Sequence, residues 1–243
     1  MQLLNAAGDT ELAPGAVQEH LARAGLVRIR HGDLTKLRAL LGSWTTPYRH
    51  PHESEPGATA ISPGWDSDAD VGRAGFTHRL LAPHTDRSLQ RDSPSVLAAV
   101  LVTPAATGGH ALLADGAAVL ATLLRTHGAS AVSKLRLCTA DGVTVPIVAT
   151  CGGLTRIRFR DDRLAAPCSV DGDEGLVTAL RQAVAAATWS LPLAEGDGYL
   201  IHNLRYLHGR TSFTGNRKLV RLLATVRASR LAWLNQGFSG ADL

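Results

Sequence analysis

Lysine is nearly absent from this chain: of 25 basic residues only Lys36, Lys134 and Lys218 are lysines, and the rest are arginines. Those arginines are scattered, without the basic runs or the interleaved aromatics of a nucleic-acid-binding surface, so no nucleic-acid partner is expected. Cysteine is scarce as well. Cys138, Cys151 and Cys168 are odd in number, widely spaced and form no C-x-x-C, which reads as reduced thiols of a cytosolic protein. No uninterrupted apolar run approaches membrane-spanning length. Met1-Gln2-Leu3-Leu4-Asn5 lacks the basic and apolar regions of a signal peptide, and the expectation is a soluble, cytoplasmic chain with no membrane partner. What remains is ordinary globular composition, 45% hydrophobic and 19% charged with a net charge of +4. A length of 243 residues suffices for a sizeable core within one domain.

Helical spacing predicts a helix over residues 11–25, with Leu12, Val17, Leu21 and Ala22 on one face, Pro14 in its first turn and Gly25 at its end. Leu26–Arg30 alternates as a short strand. A second helix is expected from Asp33, its N-cap, to Leu41, with Gly42 as terminator. Residues 43–75 are rich in Pro, Gly, Ser, His and Asp and read as one long irregular loop, a candidate lid that contains His50, His52, Trp65 and Asp66. Phe76–Leu81 is expected to be a strand delivering His84 and Asp86. Val96–Val102 has the continuous apolar run of a buried strand. Asp115 caps a helix from Gly116 that ends near Gly128, and residues 129–170 read mostly as β, with a hairpin around 150–153. In its second arm Arg156, Arg158 and Arg160 share a face, expected to be solvated. Asp173–Ala187 is a further helix, Tyr199–Ile201 an apolar strand, and Arg217–Val226 the last clear strand. The pattern predicts a mainly β chain with flanking helices, a sandwich or jelly roll.

Two stretches carry the chemistry. In an extended Ala82-Pro83-His84-Thr85-Asp86, His84 and Asp86 point to one side. An imidazole and a carboxylate side by side are two-thirds of a non-haem iron triad, and His208 is the candidate third ligand. Alone, the tripeptide reads more simply as a carboxylate orienting an imidazole at a surface turn, and His208 as a core histidine. In the last strand Arg217 and Arg221 share a face with Leu219 and Leu223, while Val220, Leu222, Ala224 and Val226 line the other. A guanidinium on an apolar inner face needs an anion, from the protein or from a ligand. Arginines snorkelling from an edge strand are the alternative.

The run Asn203-x-Arg205-x-Leu207-His208-Gly209-Arg210-x-x-Phe213-x-Gly215-x-Arg217-x-x-x-Arg221 resembles the C-terminal signature of the taurine dioxygenase-like, or clavaminate synthase-like, family of iron(II)/2-oxoglutarate-dependent oxygenases. His84-Thr85-Asp86 is similar to that family's proximal His-x-Asp/Glu pair, and Gly108-Gly109 with Leu113-x-Asp115-Gly116 to its middle segment. These anchors span residues 76–227. The resemblance implies a double-stranded β-helix over residues 1–243 as a single oxygenase domain. It implies Fe(II) held by His84, Asp86 and His208, and 2-oxoglutarate and O2 as cosubstrates. Arg217 matches the arginine gripping the distal carboxylate of 2-oxoglutarate. Arg221 matches a position facing substrate or supporting the cosubstrate end, and Arg87 is a further candidate substrate contact. One departure stands out: many members have a threonine assisting that carboxylate after the Gly-Gly pair, where this chain has His110-Ala111. The missing hydroxyl would cost one hydrogen bond, on the order of 1 kcal/mol.

The implied activity is hydroxylation, desaturation or cyclisation of a small, anionic or amino-acid-like metabolite, as in bacterial natural-product biosynthesis. The carboxylate at Asp86 argues against halogenation, which needs that position open for halide. Two other readings compete: a non-catalytic jelly-roll binding module, and a cupin-like metal enzyme that uses no 2-oxoglutarate.

Overall fold

The computed structural model describes residues 13–64 and 72–239. Trp65, Asp66 and Leu12 lie outside the described residues. The architecture is mainly β with four α-helices among those residues: α1 (Pro14–Ala24), α2 (Leu34–Gly42), α3 (Gly116–Val132) and α4 (Glu174–Ala187). Each start follows from its sequence. A proline opens α1, where the backbone N–H it lacks would have no partner. Side-chain oxygens of Asp33, Asp115 and Asp173 accept from the first-turn N–H groups of α2, α3 and α4. The helix predicted to end near Gly128 continues to Val132, because a kink at that glycine redirects it without ending it.

Two antiparallel sheets carry the site. The larger runs in the order Leu26–Ile29, Gly198–His202, Val96–Thr103, Lys218–Val226, with Thr45–Pro47 and Ala58–Ile61 both pairing the last of these. The smaller runs Thr188–Leu191, Ala111–Asp115, Tyr206–Arg210, Leu81–His84. Leu97, Ala99, Leu101, Leu219 and Leu223 of the larger sheet pack against Ala111, Leu113 and Tyr206 of the smaller, so the two inner faces share one core. The outer face of the larger sheet, through Val220, Leu222, Ala224 and Val226, packs against α1 and α2. Leu207 and Ala114 on the outer face of the smaller pack against α3 and α4. The two faces of Lys218–Val226 are thus divided as its alternation predicts.

Four expectations need correction. The stretch 43–75 is not one irregular loop: Thr45–Pro47 and Ala58–Ile61 hydrogen-bond to Lys218–Val226, where backbone pairing supplies what their weak patterning does not announce. Phe76–Leu81 is not a strand; a short 3-10 turn, Ala74–Phe76, precedes a strand that begins only at Leu81. Arg156, Arg158 and Arg160 do not form a solvated face, since Arg158 is buried and Arg160 lines a cavity. Finally, Cys138 and Cys168 are joined in a disulfide across the paired strands Leu135–Cys138 and Ala166–Ser169, and only Cys151 is a free, exposed thiol. The pairing overturns the expectation of three reduced thiols and removes the support they gave to a cytosolic compartment. Among the described residues, no helix is long and apolar enough to cross a membrane.

Candidate active site

The strand Leu81–His84 pairs with Tyr206–Arg210 so that His84 stands directly opposite His208. Gly209 is required there, because a Cβ at that position would lie 2.4 Å from the Leu81 carbonyl oxygen. The two imidazole rings are 4.5 Å apart between centroids. Asp86, just beyond the strand end, turns its carboxylate between them: Oδ1 is 3.7 Å from His84 Nε2 and Oδ2 is 3.8 Å from His208 Nε2. All three residues are buried, and one ligand atom from each falls within 4.8 Å of the others. Thr85, between them in sequence, faces away. Its N–H donates to the Phe159 carbonyl and its hydroxyl accepts from the Phe159 N–H.

The protonation states suit a cation. His84 Nδ1 is 3.0 Å from the Ala82 carbonyl oxygen, a contact that fixes the ring and leaves Nε2 toward Asp86. Burial, reinforced by the neighbouring His84, pushes His208 down to about 3 and keeps its ring neutral. For Asp86, burial opposes ionisation, but the Arg221 guanidinium and the two histidines outweigh it and hold the carboxyl well below its usual range. Two imidazoles and one carboxylate on one side of a cavity are the donor set a ferrous ion takes.

The backbone of Asp86 is clamped from the second stretch. Its N–H donates to Asn203 Oδ1 (2.9 Å), and Asn203 Nδ2 donates to the carbonyls of Asp86 (3.0 Å) and Pro94 (2.9 Å). Two residues on, Arg205 makes paired 2.9 Å hydrogen bonds to both oxygens of Asp115, the N-cap of α3. The motif residues flanking His208 therefore fasten the loop after one sheet strand and the helix after another.

The cavity above the three residues has a volume of about 360 Å³. Guanidiniums of Arg87, Arg160, Arg210, Arg217 and Arg221 reach its walls, against the carboxylates of Asp86 and Asp162. Arg221 Nη1 donates to both Asp86 oxygens, at 3.0 and 2.8 Å. Arg160 pairs with Asp162 at 3.3 Å. Arg210 is held by the Thr77 and Thr211 carbonyls and stacks 4.5 Å over Phe213. Arg217 donates through Nε to the Gly109 carbonyl at 3.2 Å. Gly109 has φ +72°, and a Cβ there would crowd Arg217 at 3.0 Å, which accounts for the second glycine of the pair. Arg87 is half-buried in a left-handed backbone conformation, φ 57°, with its Nε buried and without a partner among the described residues. His50, His52, Gly72 and Phe76 form the outer rim, so the part of 43–75 outside its two strands does border the cavity. Sequence reading passed over Arg160, Asp162 and Tyr199 in this wall. Only the alternation of Arg156, Arg158 and Arg160 is a local signal for any of them, and alternation does not say which face is buried.

Residues 156–223 match the taurine catabolism dioxygenase TauD, TfdA family. The chain carries a TauD/TfdA-like segment. It includes His208, Arg217 and Arg221, while His84 and Asp86 reach it only through the fold. Among curated proteins, none matches this sequence. Solved structures do match in fold. PvcB from Pseudomonas aeruginosa superposes with TM-score 0.66 at 16% identity, over 89% of this chain and 83% of that one. An asparagine oxygenase in complex with Fe(II), hydroxyasparagine and succinate gives 0.67 at 15%, over 90% and 80%. The non-haem iron oxygenase OrfP, in complex with Fe, succinate and (3S)-hydroxy-L-Arg, gives 0.64 at 14%, over 89% and 82%. The TauD/TfdA-like segment thus sits in a chain with the fold of these oxygenases.

Proposed function

We propose that this chain is a single-domain iron(II)- and 2-oxoglutarate-dependent oxygenase on a double-stranded β-helix, or jelly roll. Its substrate is a small anionic or amino-acid-like metabolite, oxidised in natural-product biosynthesis. The observation that carries the reading is the convergence of His84 Nε2, His208 Nε2 and the Asp86 carboxylate at the foot of an arginine-lined cavity. PvcB is described as an Fe, alpha-ketoglutarate dependent oxygenase from an isonitrile synthetic pathway, and the other two neighbours hold hydroxylated amino acids.

His84, Asp86 and His208 would hold the metal, which supplies oxidation of a substrate C–H bond coupled to decarboxylation of the keto acid to succinate. The rest is positioning. Arg217, fixed by Gly109, presents its guanidinium for the distal carboxylate of 2-oxoglutarate, as a bidentate donor of fixed charge. Arg221 ties the Asp86 carboxylate in place and borders the substrate side. Arg87, whose buried Nε has no partner among the described residues, is the candidate contact for an anionic group of the substrate. The rim residues His50, His52 and Phe76 would cover bound substrate and exclude water.

Anaerobic addition of Fe(II) and 2-oxoglutarate should give an iron-dependent visible absorption band, and admitting air should yield succinate. His208→Ala should lose the band and iron binding while keeping its far-UV circular dichroism. Absence of both band and succinate from the intact protein would defeat the proposal. Metal uptake with no response to 2-oxoglutarate would instead favour the cupin-like reading.

A further inference from the structure

At the end of the cavity where Arg217 lies, the position expected to hold a hydroxyl is Ala111, whose methyl group can donate nothing. One guanidinium leaves part of a carboxylate's hydrogen-bonding capacity unfilled. The polar side chains next to Ala111 in chain and sheet do not face the cavity. His110 is exposed, with its Nδ1 3.4 Å from Ser190 Oγ, and it does not line the cavity. Thr211, whose hydroxyl accepts the His110 N–H at 3.0 Å, is not in the cavity wall either. Tyr199 is different. It is buried, lines the cavity, and its hydroxyl forms no hydrogen bond to another described residue. In register it stands opposite Ala99, and Ala99 opposite Arg221, four residues along from Arg217, and Tyr199 and Arg217 line the same cavity. Ala99 and Ala111 both border the open space this leaves. Burial pushes the phenol up to about 12, although Arg217 pulls the other way, so the hydroxyl keeps its proton and acts as a donor.

We propose that the Tyr199 hydroxyl is the second donor to the distal carboxylate of the keto acid gripped by Arg217, completing from the larger sheet a subsite that Ala111 leaves incomplete. The inference rests on the oxygenase reading above. Tyr199 is a binding residue for the cosubstrate and takes no part in oxidation.

The test is anaerobic titration of the Fe(II)-loaded protein with 2-oxoglutarate and with 2-oxovalerate, which has the same carbon chain without the distal carboxylate. Tyr199→Phe removes only the hydroxyl. It should weaken 2-oxoglutarate binding about 10-fold, the effect of one hydrogen bond to a charged group. Binding of 2-oxovalerate and of Fe(II) should not change. Adding Ala111→Thr to Tyr199→Phe should recover most of the lost affinity. Equal affinity of Tyr199→Phe and the parent for 2-oxoglutarate, or an equal loss for both keto acids, would overturn the proposal while leaving the oxygenase reading intact. Failure of the iron-loaded parent to bind 2-oxoglutarate at all would overturn both.

Discussion

Arg221 and Asp86, separated by 135 positions in sequence, are joined by two hydrogen bonds from a single guanidinium nitrogen, at 3.0 and 2.8 Å. Both side chains are buried, and the same carboxylate faces the imidazoles of His84 and His208. In the metal-free protein, Arg221 is the cation that makes an ionised Asp86 tolerable.

Removing that cation should therefore matter most before metal is bound. Arg221→Met leaves a buried carboxylate without its partner, a change that typically costs about 3–5 kcal/mol. Urea denaturation of metal-free protein should show a loss of this order, and added Mn(II) should stabilise the variant more than the parent. Equal stabilities without metal would show that the pair contributes nothing net.

Asn203 makes three hydrogen bonds to the backbone around Asp86, all in buried surroundings. Asn203→Ala would orphan the Asp86 N–H and two carbonyls, each unsatisfied group costing about 1–3 kcal/mol. Metal affinity should fall about 10- to 100-fold, since loss of groups that orient a ligand has that effect. Isothermal titration with Mn(II) reads the affinity; an unchanged constant in a folded variant would rule the clamp out.

His202 is buried and donates through Nε2 to the Leu234 carbonyl at 2.8 Å. Burial pushes it down to about 4 from 6.5, so the folded protein holds it neutral while the unfolded chain protonates it near pH 6.5. The unfolded state then binds more protons between these values, and stability must fall as pH drops from about 6.5 to 4. The contribution lost is on the order of 3 kcal/mol. Parallel urea titrations at pH 7 and pH 4.5 should show a smaller acid loss in His202→Gln; identical losses would assign the acid sensitivity elsewhere.

The Cys138–Cys168 bond predicts a thiol count. Denatured without reductant, the protein should react with one equivalent of thiol reagent, at Cys151, and with three after reduction. Reduction should also lower stability by about 2–4 kcal/mol. Three reactive thiols before reduction would return all three cysteines to the reduced state expected from their spacing.

Much of the site was legible because its signals are local. His84 and Asp86 face one way because strand side chains alternate. The same alternation placed Arg217, Leu219, Arg221 and Leu223 on the inner face and Val220, Leu222, Ala224 and Val226 on the outer. Asp33, Asp115 and Asp173 announced their helices because a carboxylate before an apolar-periodic run satisfies first-turn N–H groups wherever it occurs.

Periodicity tells which residues share a face but not which face is buried, and that choice belongs to the neighbouring strand. The sequence by itself therefore determined the alternation of Arg156, Arg158 and Arg160, whereas tertiary packing turned Arg158 inward and brought Arg160 to the cavity. Thr45–Pro47 and Ala58–Ile61 became strands only because Lys218–Val226 offered them backbone partners. The pairing of Arg221 with Asp86, of Cys138 with Cys168, and the place of Tyr199 in the cavity wall were decided the same way. Each joins groups distant in the chain, and the energy of such a contact depends on separation in space, which no local pattern records.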